Sequence, residues 1–175
     1  MSLFTSAADI DRLIAASPQV DGVTQNKAAA RQSQLTKPPG SLGKLEDIAI
    51  WMAGWQRTER PDIEHGQCLV FAGNHGVVAQ GVSPFPADVT AQMVQNFEAG
   101  GAAINQLCRV AGLDLRVSAI QLDTPTSDFT TGPAMTDDEV LAAMNAGAES
   151  IADDCDYLIV GEMGIGNSTA AAALC

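Results

Sequence analysis

Apolar residues recur along the chain with two different spacings, and the change comes near residue 67. Before it, the spacing is helical over about Ser6–Ala16, over about Thr24–Leu35, and from Leu42 to Trp55. A turn rich in proline and glycine separates the last two segments, because both residues disfavour a continuous helix. Residues 1–60 are therefore predicted to be an N-terminal helical segment, which either forms a small separate layer or reaches toward a partner.

From Gln67 onward, short apolar runs alternate with helical patterns. The runs Cys68–Ala72, Leu113–Asp123 and Asp156–Glu162 are typical of strands. The first intervening helical stretch is interrupted at Gly100-Gly101, and the second opens with Thr136 and Glu139 at capping-box spacing. Alternation of this kind favours parallel βαβ units. Residues 61–175 are thus predicted to form an α/β domain with a Rossmann-like parallel sheet flanked by helices.

Polar and glycine-rich stretches follow each predicted strand. They are Gly73–Gly76, Gln121–Asp123 and Gly161–Thr169. Because ligands of parallel sheets bind beyond the carboxyl ends of the strands, these three stretches form the candidate site.

The third stretch, GEMGIGNST, is the most suggestive. Its glycines permit close backbone approach, and the helix predicted after it offers free N–H groups and a positive dipole end. Ser168 and Thr169 add hydroxyl donors, so the stretch suits a phosphate. The alternative is a tight strand–helix turn in which Asn167 or Ser168 is only a cap. The stretch is neither a Walker A loop nor a completed dinucleotide fingerprint.

Three further positions have both a functional and a structural interpretation. Glu162, placed directly after the third strand, is either a base or ribose ligand or an exposed loop acid. His75 is either a ligand donor and acid/base or a structural hydrogen-bonding residue. In the loop Gly81–Met93, Phe85 either stacks on a flat aromatic ligand that Ser83 and Gln92 also reach, or fills the core.

Charge and cysteine spacing narrow the function classes. Nine basic and 21 acidic residues give a net charge of −12, which disfavours nucleic acid and anionic membrane surfaces but not a small anion held by backbone N–H groups. The four cysteines are widely spaced, so neither a zinc site nor a disulfide framework is indicated. With no signal peptide or spanning apolar run, we expect a cytoplasmic protein that does not bind membranes.

Five separated stretches, in order from about Leu35 to the last residue, resemble one family. They are LTKPPGSLGKLE, FAGNHGVVAQGVSPFPADVTAQMV, NFEAGGAAINQL, DFTTGPAMT and GEMGIGNSTAAAAL. All five are similar to nicotinate-nucleotide–dimethylbenzimidazole phosphoribosyltransferase, a pentosyltransferase family of cobalamin lower-ligand synthesis. Its members transfer phosphoribose from nicotinate mononucleotide to 5,6-dimethylbenzimidazole, giving α-ribazole 5′-phosphate and nicotinate.

The resemblance implies a parallel sheet with a small helical domain, a homodimer, and transfer without a metal or other cofactor. It implies that Glu162 lies beside the nucleotide as the catalytic candidate. His75, from its position at a strand end, is also predicted to bind substrate. The benzimidazole region corresponds to Ser83, Phe85 and Gln92, with Pro39 as a wall. The nucleotide phosphate and ribose are assigned to the residues that surround Glu162: Gly161, Met163, Gly164, Ile165, Gly166, Asn167, Ser168 and Thr169.

The chain also departs from this family. Members are about twice as long, and their general-base glutamate lies in the C-terminal half. Asn74 stands where members often have Asp. STAAAALC is typical of a helix start and has no C-cap, so we expect the natural chain to continue past Cys175. Two hypotheses follow: an enzyme seen as its N-terminal half, or a nucleotide- or phosphate-binding module that cannot perform transfer. An assembly-only protein has little support.

Overall fold

The structure, a computed structural model, describes residues 3–175 and divides them into two compact units. One unit is Asp11–Glu64, and the other joins the segment ending at Ile10 to His65–Cys175. Phe4 is tied to the second unit by a reciprocal pair of hydrogen bonds with the side-chain amide of Asn145, at 2.9 and 2.7 Å. The predicted boundary at residue 60 assigns the whole N-terminus to the helical segment and does not include this contact of Phe4 with the second unit. The division into two domains remains a prediction. Residues 1 and 2 lie outside the described part.

The elements alternate largely as the periodicity predicts. In chain order they are α1 (Ala7–Ala15), α2 (Gly22–Gln32), α3 (Lys44–Gln56), β1 (Gly66–Ala72), a 3₁₀ helix (Gly76–Gln80), α4 (Val89–Glu98), α5 (Ala103–Ala111), β2 (Asp114–Ala119), α6 (Asp137–Glu149), β3 (Tyr157–Met163) and α7 (Asn167–Leu174). No helix within residues 3–175 has the length and apolar character needed to cross a bilayer.

The three strands form one parallel sheet in the order β2-β1-β3. β1 is central and almost fully buried, as expected for a parallel strand with neighbours on both sides. Its last residue, Ala72, pairs with Ala119 of β2 and Met163 of β3, so all three strands end at one level. The predicted α/β fold class, a parallel sheet flanked by helices, is confirmed.

Local sequence explains several helix ends. Asp21 accepts hydrogen bonds from the N–H groups of Val23 and Thr24 and caps α2. The predicted capping box of α6 is present: Thr136 N donates to Glu139 Oε2 at 2.7 Å, and Glu139 N donates to Thr136 Oγ1 at 3.3 Å. The hydrogen bonds from Thr136 hold the pKa of Glu139 below its usual range.

The predicted apolar face of α3 is not a core face in this structure. Leu45 is 64% exposed and Ile48 50% exposed, whereas the helix is buried at Ala53 and Gly54. Gly54 allows α3 to approach α2 closely, since a Cβ there would lie 2.6 Å from a side-chain carbon of Gln25. The apolar periodicity predicted the helix correctly, but the face of α3 that is buried is the one with Gly54, which packs against α2.

The core of the sheet-containing unit forms around β1. Cys68 and Val70 pack with Cys108 of α5, so two of the four cysteines are small core residues. Leu69, 1% exposed, is among the largest fully buried side chains. Burial, with the Cys108 thiol beside it, raises the pKa of Cys68 to about 11, so its thiol is a core group rather than a nucleophile at neutral pH.

Candidate functional site at the carboxyl edge of the sheet

The stretches that follow the three strands meet at one edge of the sheet. Gly73 N donates to the carbonyl oxygen of Met163 at 3.0 Å, and Ile120 N donates to that of Ala72 at 2.7 Å. Asn74 Nδ2 donates to the carbonyl oxygen of Leu122 at 2.9 Å. Because the chain leaves β1 for β2 on one side and later returns to β3 on the other, the strand order reverses at β1. Ligands of doubly wound sheets bind at such a switch point.

The glycine loop after β3 packs directly on the segment after β1. A Cβ on Gly164 would collide with the carbonyl oxygen of Gly73 and lie 3.3 Å from His75 Nε2. Gly166 has a φ of +85°, and a Cβ there would lie 2.8 Å from a methyl group of Val78. Both glycines are thus required for contact between the two loops, whatever they hold.

Several N–H groups of this loop already have protein acceptors. Ile165 N donates to Thr90 Oγ1 at 3.1 Å, and Thr90 is fully buried on α4. Further along, Asn167 N donates to the carbonyl oxygen of Gly164, and Thr169 N to that of Gly166. The Ser168 hydroxyl makes a long hydrogen bond to Asn167 Oδ1, at 3.4 Å. The hydroxyls of Thr169 and Ser168 are therefore the loop's main candidates for an anion. Sequence reasoning missed Thr90, because a lone threonine on a helix gives no signal of a partner about 75 residues away.

The start of α7 does not have the side-chain cap that the simple strand–helix turn would have. Its N-cap is Gly166, and no side chain caps the helix, so the interpretation of Asn167 or Ser168 as the cap is wrong. Asn167 Nδ2 instead donates to Glu162 Oε1 at 2.8 Å. The asparagine thereby fixes the orientation of the carboxylate.

Glu162 itself lies within β3, paired with Phe71 of β1. This agrees with the predicted run Asp156–Glu162 but not with the placement of Glu162 directly after the strand. The strand is shifted by one residue from the predicted run, because pairing with β1 continues to Met163. The side chain of Glu162 is exposed and borders a cavity of about 270 Å³. His75, Met163 and Asn167 line the same cavity, with Phe71 and one side of α7 supplying apolar surface. The structure thus brings His75 together with part of the glycine loop.

Four of the other predicted substrate residues, Ser83, Phe85, Gln92 and Pro39, are not among those that line this cavity. Phe85 is 60% exposed, so the alternative that it fills the core is wrong. Its N–H donates to Ser83 Oγ at 3.2 Å, which folds the loop into a tight turn. Gln92 is exposed on α4, and Pro39 belongs to the Asp11–Glu64 unit. Neither Ser83 nor Phe85 nor Gln92 lines the cavity beside Glu162.

A loop after β2 is fastened beside His75 through Asp128. Asp128 Oδ2 accepts a hydrogen bond from Gln80 Nε2 at 2.6 Å, and its Oδ1 accepts from Thr130 N at 3.0 Å. The hydrogen bond from Gln80 is the main cause of the lowered pKa of Asp128, and the hydrogen bonds from Thr130 lower that pKa further. A Cβ on Gly76 would collide with this loop at the carbonyl oxygen of Thr126. The loop therefore covers the start of the 3₁₀ helix.

The Asp128 contact is expected to be lost in acid. Since the folded state binds this proton more weakly than the unfolded chain, the stabilisation is complete above the ordinary pKa of 3.8 and disappears as pH falls through the lowered value. The chemical shift of the Thr130 amide, followed by NMR, should change with a midpoint below 3.8. Asp128→Asn is the control and should show no such step. A midpoint at or above 3.8 would contradict the assignment.

The fold places the protein among doubly wound α/β proteins, with a candidate site at the switch point. The chain matches a family model described as phosphoribosyltransferase over residues 17–175. It is 59% identical over 175 residues to nicotinate-nucleotide–dimethylbenzimidazole phosphoribosyltransferase of Novosphingobium aromaticivorans, covering 100% of this chain and 52% of the relative. The corresponding protein of Cereibacter sphaeroides (strain ATCC 17025) is 57% identical over 171 residues, which is 98% of this chain and 51% of the relative.

A solved structure agrees with these relatives. The crystal structure of the same enzyme from Thermus thermophilus has a TM-score of 0.80 and 40% identity, covering 88% of this chain and 52% of that one. The chain belongs to the nicotinate-nucleotide–dimethylbenzimidazole phosphoribosyltransferase family, as the resemblance predicted. It spans about half the length of the curated relatives it matches.

Proposed function

We propose that the protein acts in cobalamin lower-ligand synthesis as a phosphoribosyltransferase. The reaction transfers phosphoribose from nicotinate mononucleotide to 5,6-dimethylbenzimidazole and releases nicotinate. Family membership supports the reaction class. The observation that carries the proposal to this chain is the contact of the glycine loop with His75 at the β1/β3 switch point. A cytoplasmic homodimer remains part of the proposal.

In this proposal the edge of the sheet holds the nucleotide. Ser168 and Thr169 would donate hydroxyl hydrogen bonds to the phosphate, at the N-terminus of α7 where the helix dipole favours negative charge. Glu162 would accept a hydrogen bond from a ribose hydroxyl through Oε2, since its Oε1 already accepts one from Asn167. Because an oxocarbenium-like state is positive at C1′, a fixed carboxylate nearby would also stabilise it.

The base would bind separately and meet the ribose at C1′. Ser83, Phe85 and Gln92, with Pro39, remain the residues proposed for the benzimidazole. An exposed Phe85 is available to stack on a flat ring, which a core residue would not be. The cavity beside Glu162 is largely apolar, so it suits the nicotinate ring of the nucleotide better than the phosphate.

The phosphate assignment is tested by removing both hydroxyls. Ser168→Ala/Thr169→Ala should weaken binding of nicotinate mononucleotide to the chain by at least about tenfold, since hydrogen bonds to a charged group contribute about 1.5–3 kcal/mol each. Isothermal titration calorimetry measures the affinity. Thr5→Ala/Ser6→Ala removes two adjacent hydroxyls that face Asp9 instead, and should leave it unchanged. Equal affinity of the Ser168/Thr169 variant and the wild type would sink the assignment.

A second candidate function is nucleotide binding without transfer. It is favoured by the chain spanning about half the length of its relatives, because the general base expected from the family resemblance belongs to the other half. Incubating the 175-residue chain with both substrates and measuring α-ribazole 5′-phosphate separates the two. Product formation would exclude the binding-only function, whereas binding without product would support it.

A further inference from the structure

The segment that carries Ser83 and Phe85 is held from its two ends. Within the described part of the chain, Val82–Phe85 makes no hydrogen bond to another segment, and the bond from Phe85 N to Ser83 Oγ stays inside it. Pro84 restricts its backbone further. The direction of this short segment is therefore set where it begins and where it ends.

The end of the segment leads into α4, which is fixed to the core. Thr90, in the first turn of α4, is fully buried, and its Oγ1 accepts the hydrogen bond from Ile165 N. This anchor joins α4 to the glycine loop.

The beginning of the segment follows the 3₁₀ helix, whose last residue is Gln80. Gly81, with a φ of +71°, turns the chain out of that helix. The side chain of Gln80 is exposed, and its Nε2 donates to Asp128 Oδ2 at 2.6 Å. A hydrogen bond from an amide to a carboxylate is charge-assisted and stronger than one between neutral groups. This bond joins the beginning of the segment to the loop after β2.

Asp128 is held in place without Gln80. Its Oδ1 accepts hydrogen bonds from Thr130 N at 3.0 Å and from Thr130 Oγ1 at 2.8 Å. Its carbonyl oxygen accepts two more, from N and Oγ1 of Thr131. The carboxylate is therefore an acceptor fixed in advance, and such an acceptor orders its partner at a lower entropic cost.

The other end of the 3₁₀ helix is held by backbone contacts. A Cβ on Gly76 would collide with the carbonyl oxygen of Thr126, and Thr126 N donates to the carbonyl oxygen of Asn74 at 3.2 Å. Val77, the next residue of the helix, is buried. A change of the Gln80 side chain therefore releases the end of the helix that leads to Ser83 and leaves its start in place.

We propose that Gln80 and Asp128 are a positioning pair for the benzimidazole. The hydrogen bond between them sets the direction of Val82–Phe85, and through it the places of the Ser83 and Phe85 side chains. Both residues of the pair act through this segment and not by contact with the base. Their role depends on the proposed function, since Ser83 and Phe85 are the residues proposed there for the benzimidazole.

Exchange of donor and acceptor tests the pair. Gln80→Glu places two carboxylates face to face and should weaken binding of 5,6-dimethylbenzimidazole to the chain about fivefold, because the base must then order the segment itself. Gln80→Glu/Asp128→Asn again sets an amide donor opposite a carboxylate, and should restore the affinity to within about twofold of the wild type. Isothermal titration calorimetry measures both.

Two further measurements separate positioning from a general structural role. Order parameters of the Ser83 and Phe85 amides, from ¹⁵N relaxation without ligand, should fall in Gln80→Glu and recover in the double variant. Affinity for nicotinate mononucleotide should stay the same, since Thr90 and not Gln80 holds the glycine loop. Gln95→Glu is the matched control: it adds the same charge at an exposed position of α4 and should change none of these quantities.

Unchanged order parameters in Gln80→Glu would overturn the pair, as would a double variant that does not recover or an equal effect of Gln95→Glu. In a wild-type chain that binds the base, unchanged base affinity in Gln80→Glu, or an equal loss of nucleotide affinity, would overturn it too. A wild-type chain that does not bind the base, but whose order parameters fall and recover as expected, would count against the proposed function alone.

Discussion

Gly164→Ala is expected to lower the free energy of unfolding by about 3 kcal/mol, the upper end of the usual cost of overpacking. The added methyl group would collide with the carbonyl oxygen of Gly73, which belongs to the backbone and cannot move aside by rotating a side chain. The glycine loop and the β1 loop would have to separate. Urea unfolding followed by circular dichroism measures the change.

Gly147→Ala is the matched control for that variant. Gly147 lies within α6, and a Cβ there would meet nothing within 4 Å. Since alanine is a better helix former than glycine, this change should stabilise the protein by up to about 1 kcal/mol. A Gly164→Ala protein as stable as the wild type would show that the two loops are not in the contact described.

Thr90→Val is expected to destabilise the protein by about 1–3 kcal/mol, although it preserves the shape of the side chain. The change removes the oxygen that accepts a hydrogen bond from Ile165 N, and both residues are buried. The N–H group would then be buried without a partner. Hydrogen exchange at the Ile165 amide should accelerate more than exchange in β1.

Thr90→Ser provides the control, because it keeps the hydroxyl and removes only a methyl group. Its Ile165 amide should exchange nearly as slowly as in the wild type. If the Ile165 amide exchanges at the same rate in Thr90→Val and Thr90→Ser, the hydroxyl does not hold the glycine loop. Affinity for nicotinate mononucleotide should follow the same order, since the loop that carries Ser168 and Thr169 depends on this contact.

Patterns within a short window predicted the elements well. The apolar run at Cys68–Ala72 lies inside β1, and Thr136 with Glu139 marked the start of α6. Gly112 ends α5 in the left-handed conformation that glycine favours. Each of these features depends on residues near one another in sequence, where propensity and capping act.

The errors concern contacts between distant residues. β2 ends at Ala119 and not at Asp123, since Gln121 turns into a left-handed conformation at the edge. Glu162 belongs to β3 because of its pairing with Phe71 of β1. The contact of Gly164 with Gly73 joins residues about 90 positions apart. The resemblance to a family selected this loop as a candidate site, which remains a prediction, but it could not show that the glycines serve loop packing.

The central position of β1 has a consequence for synthesis on the ribosome. Both strands that cover its edges come later in the chain, and β3 follows by about 90 residues. At about 5–20 residues per second, the apolar segment Cys68–Ala72 waits roughly 5–20 s for its last neighbour. Until β3 is made, at least one edge of β1 stays unpaired and open to aggregation. Chaperone binding to β1 should therefore matter more for the yield of folded protein than the intrinsic stability of any helix.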